Sequence, residues 1–558
     1  MKTGAKILVE SLQREGTDII FGYPGGVVLP IYDELYDSSL RHILVRHEQA
    51  AAHAADGYAR ASGRVGVCLA TSGPGACNLV TGIATAYMDS IPIVALTGQV
   101  PTNLLGNDAF QESDITGITM PITKHNYLVK NAGDLSRVVK EAFYIAGTGR
   151  PGPVLIDIPK DVSTMSVKDT PAPEKVSLRG YNPTYHGHKR QIEKALQLIA
   201  QAERPVIYAG GGVILSNASA ELLSIATRLG IPITTTLMGL GAIPGDHPLN
   251  LGMLGMHGTE YANFAITECD LLFAIGVRFD DRVTGKTETF AANAKIIHID
   301  VDPAEIGKNK RVDVPIVGDV KSVLTDMLTC LKKTGGHDIW IKKIQQWKQH
   351  HPLKCPKDGL LHPQFIIRQL SELLDGNGII VSEVGQNQMW TAQHYCFKQP
   401  RTWITSGGLG TMGYGLPAAM GAHFARPDLP VFDVAGDGSI QMNIQEFGTL
   451  AAEKIPVKIA ILNNRYLGMV RQWQELFYDR RYSYTELPPV EFVKIANAYG
   501  IEGITVTDPD DVKSSLQAAL DCDGPFVLDF RVEREENVFP MVPAGAAINE
   551  MIGGHPRS

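Results

Sequence analysis

The stretch Val434-Ala-Gly-Asp-Gly-Ser-Ile440, read with Leu462-Asn-Asn464, constrains this chain more than any other. Residues 430–435 are largely apolar and have the length of a buried strand, and residues 457–462 repeat the pattern. Gly436 and Gly438 flank Asp437, so the turn after the first strand can lie close to a bulky anion. Asp437 and Asn464 are 27 positions apart, and each follows an apolar run. That spacing puts them at the carboxyl ends of neighbouring parallel strands, where open α/β sheets bind ligands. One carboxylate and one carboxamide are too few oxygens to cage a hard cation. They suit Mg²⁺ when a diphosphate and water complete the shell. Alone, Gly-Asp-Gly is equally well explained as a tight turn; the asparagine pair beyond the next strand favours the ligand.

The 558 residues suffice for about three domains. With 44% hydrophobic and 20% charged residues, the composition is that of an ordinary globular protein. The net charge of −8 comes without a basic cluster, which speaks against nucleic acid, and no apolar run is long enough to span a bilayer. The first ten residues run directly into an amphipathic helix pattern, unlike a signal or transit segment. Seven scattered cysteines lack CxxC spacing, so the reading is reduced thiols in a cytoplasmic protein, with neither a disulfide framework nor a cysteine metal site.

Strand and helix patterns alternate throughout, which predicts an α/β protein of three doubly wound parallel-sheet domains. Apolar runs at 19–22, 65–70, 91–96 and 153–158 belong to the first domain, residues 1–183. It closes in a Pro-containing polar linker that begins at Thr170. Runs at 204–209, 270–276 and 295–300 form the second, residues 184–345. Its Gly210-Gly-Gly212 turn and Asp300 fit a nucleotide-binding domain, although without GxGxxG a structural turn explains them equally well. A charged, Trp-containing boundary at 337–359 precedes the third domain, residues 346–558. There the glycine-crowded stretch 405–417 reads as a loop wrapped around a ligand. No strong internal repeat is visible, but the first and third domains share their rhythm.

Glu48 stands at a helix start in RHEQAAAHAADGYAR (46–60), where an acid is favoured by the helix dipole alone. The alanine-rich face after it allows very close packing on a neighbouring element. The segment resembles the one that carries the catalytic glutamate of thiamin-diphosphate enzymes, and GDG with its distal NN resembles their diphosphate motif. Within that group the chain is similar over nearly its whole length to the acetohydroxyacid (acetolactate) synthases. The carrying motifs are FGYPGG (21–26), ATSGPG (70–75), LTGQVP (96–101), DAFQE (108–112), SGGLGTMGYGLPAAMG (406–421), AGDGS (435–439) and GMVRQWQ (468–474). LGMLGMHGT (251–259) and RFDDRVTG (278–285) resemble the FAD-containing synthases in particular.

The resemblance implies decarboxylation of pyruvate and ligation of its two-carbon unit to pyruvate or 2-ketobutyrate, in branched-chain amino-acid biosynthesis. It implies thiamin diphosphate, Mg²⁺ and FAD as cofactors. Glu48, Gln111 and Lys160 would be catalytic, with Glu48 held against the aminopyrimidine ring. Asp437, Asn464 and the main-chain carbonyl of Tyr466 would hold Mg²⁺; the family often has a polar residue at 466, but a carbonyl ligand does not depend on its side chain. Tyr23, Pro24, Gly25, Gly410, Met412, Gly436, Gly438, Ser439, Gly468 and Met469 would contact thiamin diphosphate, with Met412 beneath the bent cofactor. Arg150, Gly210, Gly211, Met256, His257, Gly258, Arg278 and Asp300 would complete the cofactor contacts, mainly to FAD. Gly26, Phe110, Arg282, Val470 and Trp473 would meet the substrate, Arg282 as a bidentate carboxylate clamp. A homodimer or homotetramer follows, since the family's site spans two subunits, and a small regulatory subunit is common. Three alternatives remain open: an FAD-free catabolic synthase, a pyruvate oxidase, and a non-catalytic relative.

Overall fold

In the computed structural model, which describes residues 1–168, 171–331 and 336–554, three six-stranded sheets follow one another along the chain. Thr170, where the first linker was expected to begin, lies outside the described residues. The first sheet contains β1 (Ile19–Gly22), β2 (Arg41–Leu44), β3 (Gly66–Ala70), β4 (Ile93–Gln99), β5 (His125–Leu128) and β6 (Val154–Pro159). The second has β7 (Pro205–Ala209), β8 (Ile233–Thr235), β9 (Asn250–Met253), β10 (Leu271–Ile275), β11 (Lys295–Asp300) and β12 (Val314–Val317). The third has β13 (Ile379–Ser382), β14 (Trp403–Thr405), β15 (Val431–Gly436), β16 (Lys458–Asn463), β17 (Glu502–Val506) and β18 (Phe526–Arg531).

All pairings within these sheets are parallel. The central strands are buried on both faces, which explains their unbroken apolar runs, whereas the edge strands β2 and β5 are partly exposed. Strand order in the first sheet is β2-β1-β3-β4-β6-β5, and in the third β14-β13-β15-β16-β18-β17. Counted from each domain's own start, the two are identical. The middle sheet runs β9-β8-β7-β10-β11-β12, the order of dinucleotide-binding folds.

The alanine-rich helix Glu48–Ser62 finds its neighbour in the third domain, on helix Gly415–Ala425. A Cβ on Gly57 would lie 2.1 Å from the Ala418 carbonyl oxygen, and one on Gly421 only 1.9 Å from that of Ala54. The two backbones therefore touch, and the contacts pair rising with falling numbers, so the helices are antiparallel. Around them a single apolar core, including Phe21, Ile83, Leu416 and Phe447, runs through both domains.

Two expectations need correction. The stretch 405–417 is not a loop throughout: after residues 406–414 it enters helix Gly415–Ala425. Gly415 serves packing there, since a Cβ would lie 2.3 Å from Asp433 Oδ1. The break at 345/346 falls inside helix Asp338–His350. Its Trp340 and Ile344 are buried in the middle domain, and Trp340 Nε1 donates to the Pro205 carbonyl at 3.1 Å. Irregular chain follows only at 351–362.

Candidate active site

The register Gly436↔Leu462 between β15 and β16 brings Asp437 and Asn464 out at the same sheet edge. Together with Tyr466 they line a cavity of about 850 Å³ between the third and middle domains. Asp437 is buried, and burial pushes its carboxyl up to about 7, against the opposing effect of the Asn464 and Arg465 backbone N–H groups. Asn464 Oδ1 accepts from the Tyr466 N–H at 3.0 Å, and its amide donates to Gln386 Oε1 at 3.2 Å. The glycines here allow close packing: a Cβ on Gly468 would sit 2.1 Å from Gln386 Oε1, and one on Gly438 2.7 Å from Leu467 Cδ2, with the Met412 methyl at 3.8 Å. Gly410 adopts φ +72, a left-handed turn that suits glycine in the loop beside Met412.

The same cavity gathers Gly436, Gly438, Ser439, Gly410, Met412, Gly468, Met469, Val470 and Trp473 from the third domain. From the middle domain come Gly211, Met256, His257, Arg278, Arg282 and Asp300, and from the first Asp89 and Arg150. Burial lowers the His257 imidazole to about 4 and raises the Asp300 carboxyl to about 7. Arg150 is already committed, to Glu305 at 2.7 Å and Asp302 at 3.2 Å. Arg282 remains mostly exposed, its guanidinium 3.8 Å from the Met256 sulfur. Gly210 and Gly258 do not line the cavity. A Cβ on Gly210 would lie 2.2 Å from the Gly276 carbonyl oxygen, and one on Gly258 2.4 Å from the Leu254 carbonyl carbon, so tight backbone packing accounts for both.

Glu48, Tyr23, Pro24, Gly25, Gly26, Phe110, Gln111 and Lys160 are not among the residues that line this cavity. Several form a second cluster at the carboxyl ends of β1 and β3. Asn78 donates to Glu48 Oε2 at 2.9 Å, and a Cβ on Gly75 would lie 3.1 Å from Glu48 Oε1. A Cβ on Gly25 would meet the Thr71 side chain at 2.5 Å, and one on Gly73 the Gln111 carbonyl at 2.7 Å. Phe110 is 88% exposed, and Gln111 and Lys160 are exposed too. Helix geometry keeps the clusters apart: Glu48 and Arg60 are separated by roughly 18 Å along the axis. It is the Arg60 end that meets the Met412 loop, through Asp89 and Gly407.

The residues present fit the implied groups. Among the described residues no cluster of three or more His, Cys, Asp or Glu can hold a metal alone. A cation at Asp437 and Asn464 therefore needs oxygens from a ligand such as a diphosphate. Glu383, at the end of β13, escaped the sequence reading although an acid after an apolar run was its signal. It is fully buried, accepts from the Gly413 N–H at 2.8 Å, and lies beside the equally buried Asp433; burial raises both carboxyls.

Three family profiles match the chain: Thiamine pyrophosphate enzyme, N-terminal TPP binding domain, at residues 2–118; central domain, at 192–327; and C-terminal TPP binding domain, at 383–530. A probable acetolactate synthase large subunit of Methanocaldococcus jannaschii is 53% identical, with 98% of this chain and 95% of that protein covered. The chain belongs to this family. An acetolactate synthase large subunit of Parasynechococcus marenigrum is 51% identical over 99% of this chain and 92% of its own. An acetolactate synthase of Mycobacterium bovis is 52% identical over 98% and 91% respectively. Among the described residues no helix is long and apolar enough to cross a membrane.

Proposed function

We propose that this chain is the catalytic large subunit of an acetolactate synthase that decarboxylates pyruvate and joins its two-carbon unit to pyruvate or 2-ketobutyrate. The products are 2-acetolactate and 2-aceto-2-hydroxybutyrate, precursors of branched-chain amino acids. The observation that carries the reading is the meeting of Asp437, Asn464 and Tyr466 with Met412, Met256 and Arg282 around one cavity. Thiamin diphosphate, when bound, supplies the carbon at which a 2-ketoacid loses CO₂. Asp437, Asn464 and the Tyr466 carbonyl would hold Mg²⁺ on its diphosphate, and Met412 would support the cofactor from below. Glu48 would hold a proton at the pyrimidine ring nitrogen. Arg282 would grip the carboxylate of the second ketoacid, and the Trp473 ring would meet the extra methylene of 2-ketobutyrate. The strand order of the middle domain supports FAD there, beside Gly211, Arg278 and Asp300.

The separation of Glu48 from the Asp437 cavity supports a homodimer in which the first domain of one copy completes the site of the other. A tetramer built from such dimers, a small regulatory partner and a cytoplasmic location belong to the same reading. Domain limits would be close to residue 183 and within 351–362. The test is incubation with pyruvate, with and without thiamin diphosphate, followed by acidification and colour development for acetoin. Colour that depends on the cofactor is the expected result; none in a flavin-loaded, Mg²⁺-supplied preparation would sink the proposal.

A further inference from the structure

The loop 406–414, which carries Gly410 and Met412, is held by carboxylates from two domains. Asp89, at the end of helix Val80–Asp89 in the first domain, accepts from the Gly407 N–H at 3.0 Å and from the Gly408 N–H at 2.7 Å. The buried Arg60 guanidinium joins Asp89, at 2.8 Å, to Asp56, at 2.6 Å. Asp56 in turn accepts the Tyr414 hydroxyl at 2.5 Å, at the far end of the loop. Between these points the Thr85 and Thr411 hydroxyls lie 2.7 Å apart, and Glu383 takes the Gly413 N–H from below. The first domain thus grips both ends of a loop that lines the cavity of its own chain, and it does so through two carboxylates bridged by Arg60.

We propose that Asp89, through Arg60 and Asp56, is a positioning residue that sets the loop carrying Met412 for thiamin diphosphate. The inference rests on the cofactor reading of the preceding section. It gives helix Glu48–Ser62 two duties: its start presents Glu48, and its Asp56–Arg60 portion orders the cofactor loop in the same chain. A carboxylate that accepts two backbone N–H groups restrains a glycine pair, the residue type with the most backbone freedom to lose. The loop is then ordered before the cofactor arrives, which lowers the ordering cost of binding.

The test pairs amide hydrogen exchange on the cofactor-free protein with thiamin diphosphate affinity measured by equilibrium dialysis in the presence of Mg²⁺. In Asp89→Asn one acceptor is replaced by an amide NH₂. Exchange at Gly407 and Gly408 should accelerate about 10-fold or more while strand Val431–Gly436 stays protected. Cofactor affinity should fall about 10-fold. Tyr414→Phe removes only the hydroxyl and should weaken affinity in the same direction, with less than additive effect in the double variant. Wild-type exchange at Gly407 and Gly408 in folded Asp89→Asn overturns the proposal, as does acceleration spread evenly over the third domain. Should Asp89→Asn not fold, Tyr414→Phe decides, and unchanged affinity there overturns it. A wild-type chain that binds no thiamin diphosphate would instead defeat the functional reading, while the exchange result on loop order stands separately.

Discussion

The first and third domains are laid out on one strand order, yet they offer opposite surfaces at equivalent sheet ends. The third domain buries Asp437 and Asn464 in a cavity walled by the middle domain. The first presents Glu48 half-buried, and its Tyr23, Phe110 and Gln111 are exposed. The scaffold is shared; what differs is which neighbour covers the carboxyl ends of the strands. One end is covered within the chain and the other is left open, so the two clusters are unlike. On the proposed reading neither would suffice alone, and a second copy related by a two-fold axis would pair them.

Single residues test this contrast between the two domains. Glu48→Gln should lower turnover by about 10²- to 10⁴-fold, because an amide cannot exchange a proton with the pyrimidine ring. Mg²⁺ and diphosphate binding should persist, since on the proposed reading the third domain would hold both; near-normal kcat would remove Glu48 from the chemistry. Asp437→Ala should weaken Mg²⁺-dependent cofactor retention by about 10- to 100-fold, as a charged ligand is lost from a sparse set. Equilibrium dialysis reads this directly, and unchanged retention would mean that the metal lies elsewhere.

Mixing the two variants, at a cofactor concentration too low to load Asp437→Ala, asks whether the two clusters meet across chains. Random reassortment makes half the dimers mixed, each with one intact site, so activity should return to about a quarter of wild type. No recovery, with subunit exchange verified by mass spectrometry, would mean that the two clusters do not meet across chains. The smallest effect concerns the helix contact that fixes their separation. Gly57→Ala puts a methyl 2.1 Å from the Ala418 carbonyl oxygen and should lower stability by about 1–3 kcal/mol in urea unfolding. Gly524→Ala, where a Cβ meets nothing within 4 Å, serves as the control and should stay within about 0.5 kcal/mol.

Helix Asp338–His350 shows where pattern reading went astray. Its many Lys, Gln and His residues read as a linker, although Trp340, Ile344 and Trp347 mark one apolar stripe at helical spacing. The sequence by itself determined the parallel α/β plan, because strands buried on both faces must be written as continuous apolar runs. It also determined the Asp437 and Asn464 pair, since both lie next to the strands that place them. The alanines of helix Glu48–Ser62 foretold a close contact without naming the helix it meets.

Only the tertiary structure decided that this contact crosses from the first domain to the third. It also decided that Glu48 does not line the Asp437 cavity, and that the side chains of Asp56, Arg60, Asp89 and Glu383 are buried around one loop. Local sequence specifies strands and turns through patterns a few residues long. Whether an acid is solvated or gripped depends on chain that arrives from hundreds of positions away, as when Asp89 meets Gly407 across 318 residues. Burial and partnership of charge are properties of that packing, and no short stretch of the chain contains them.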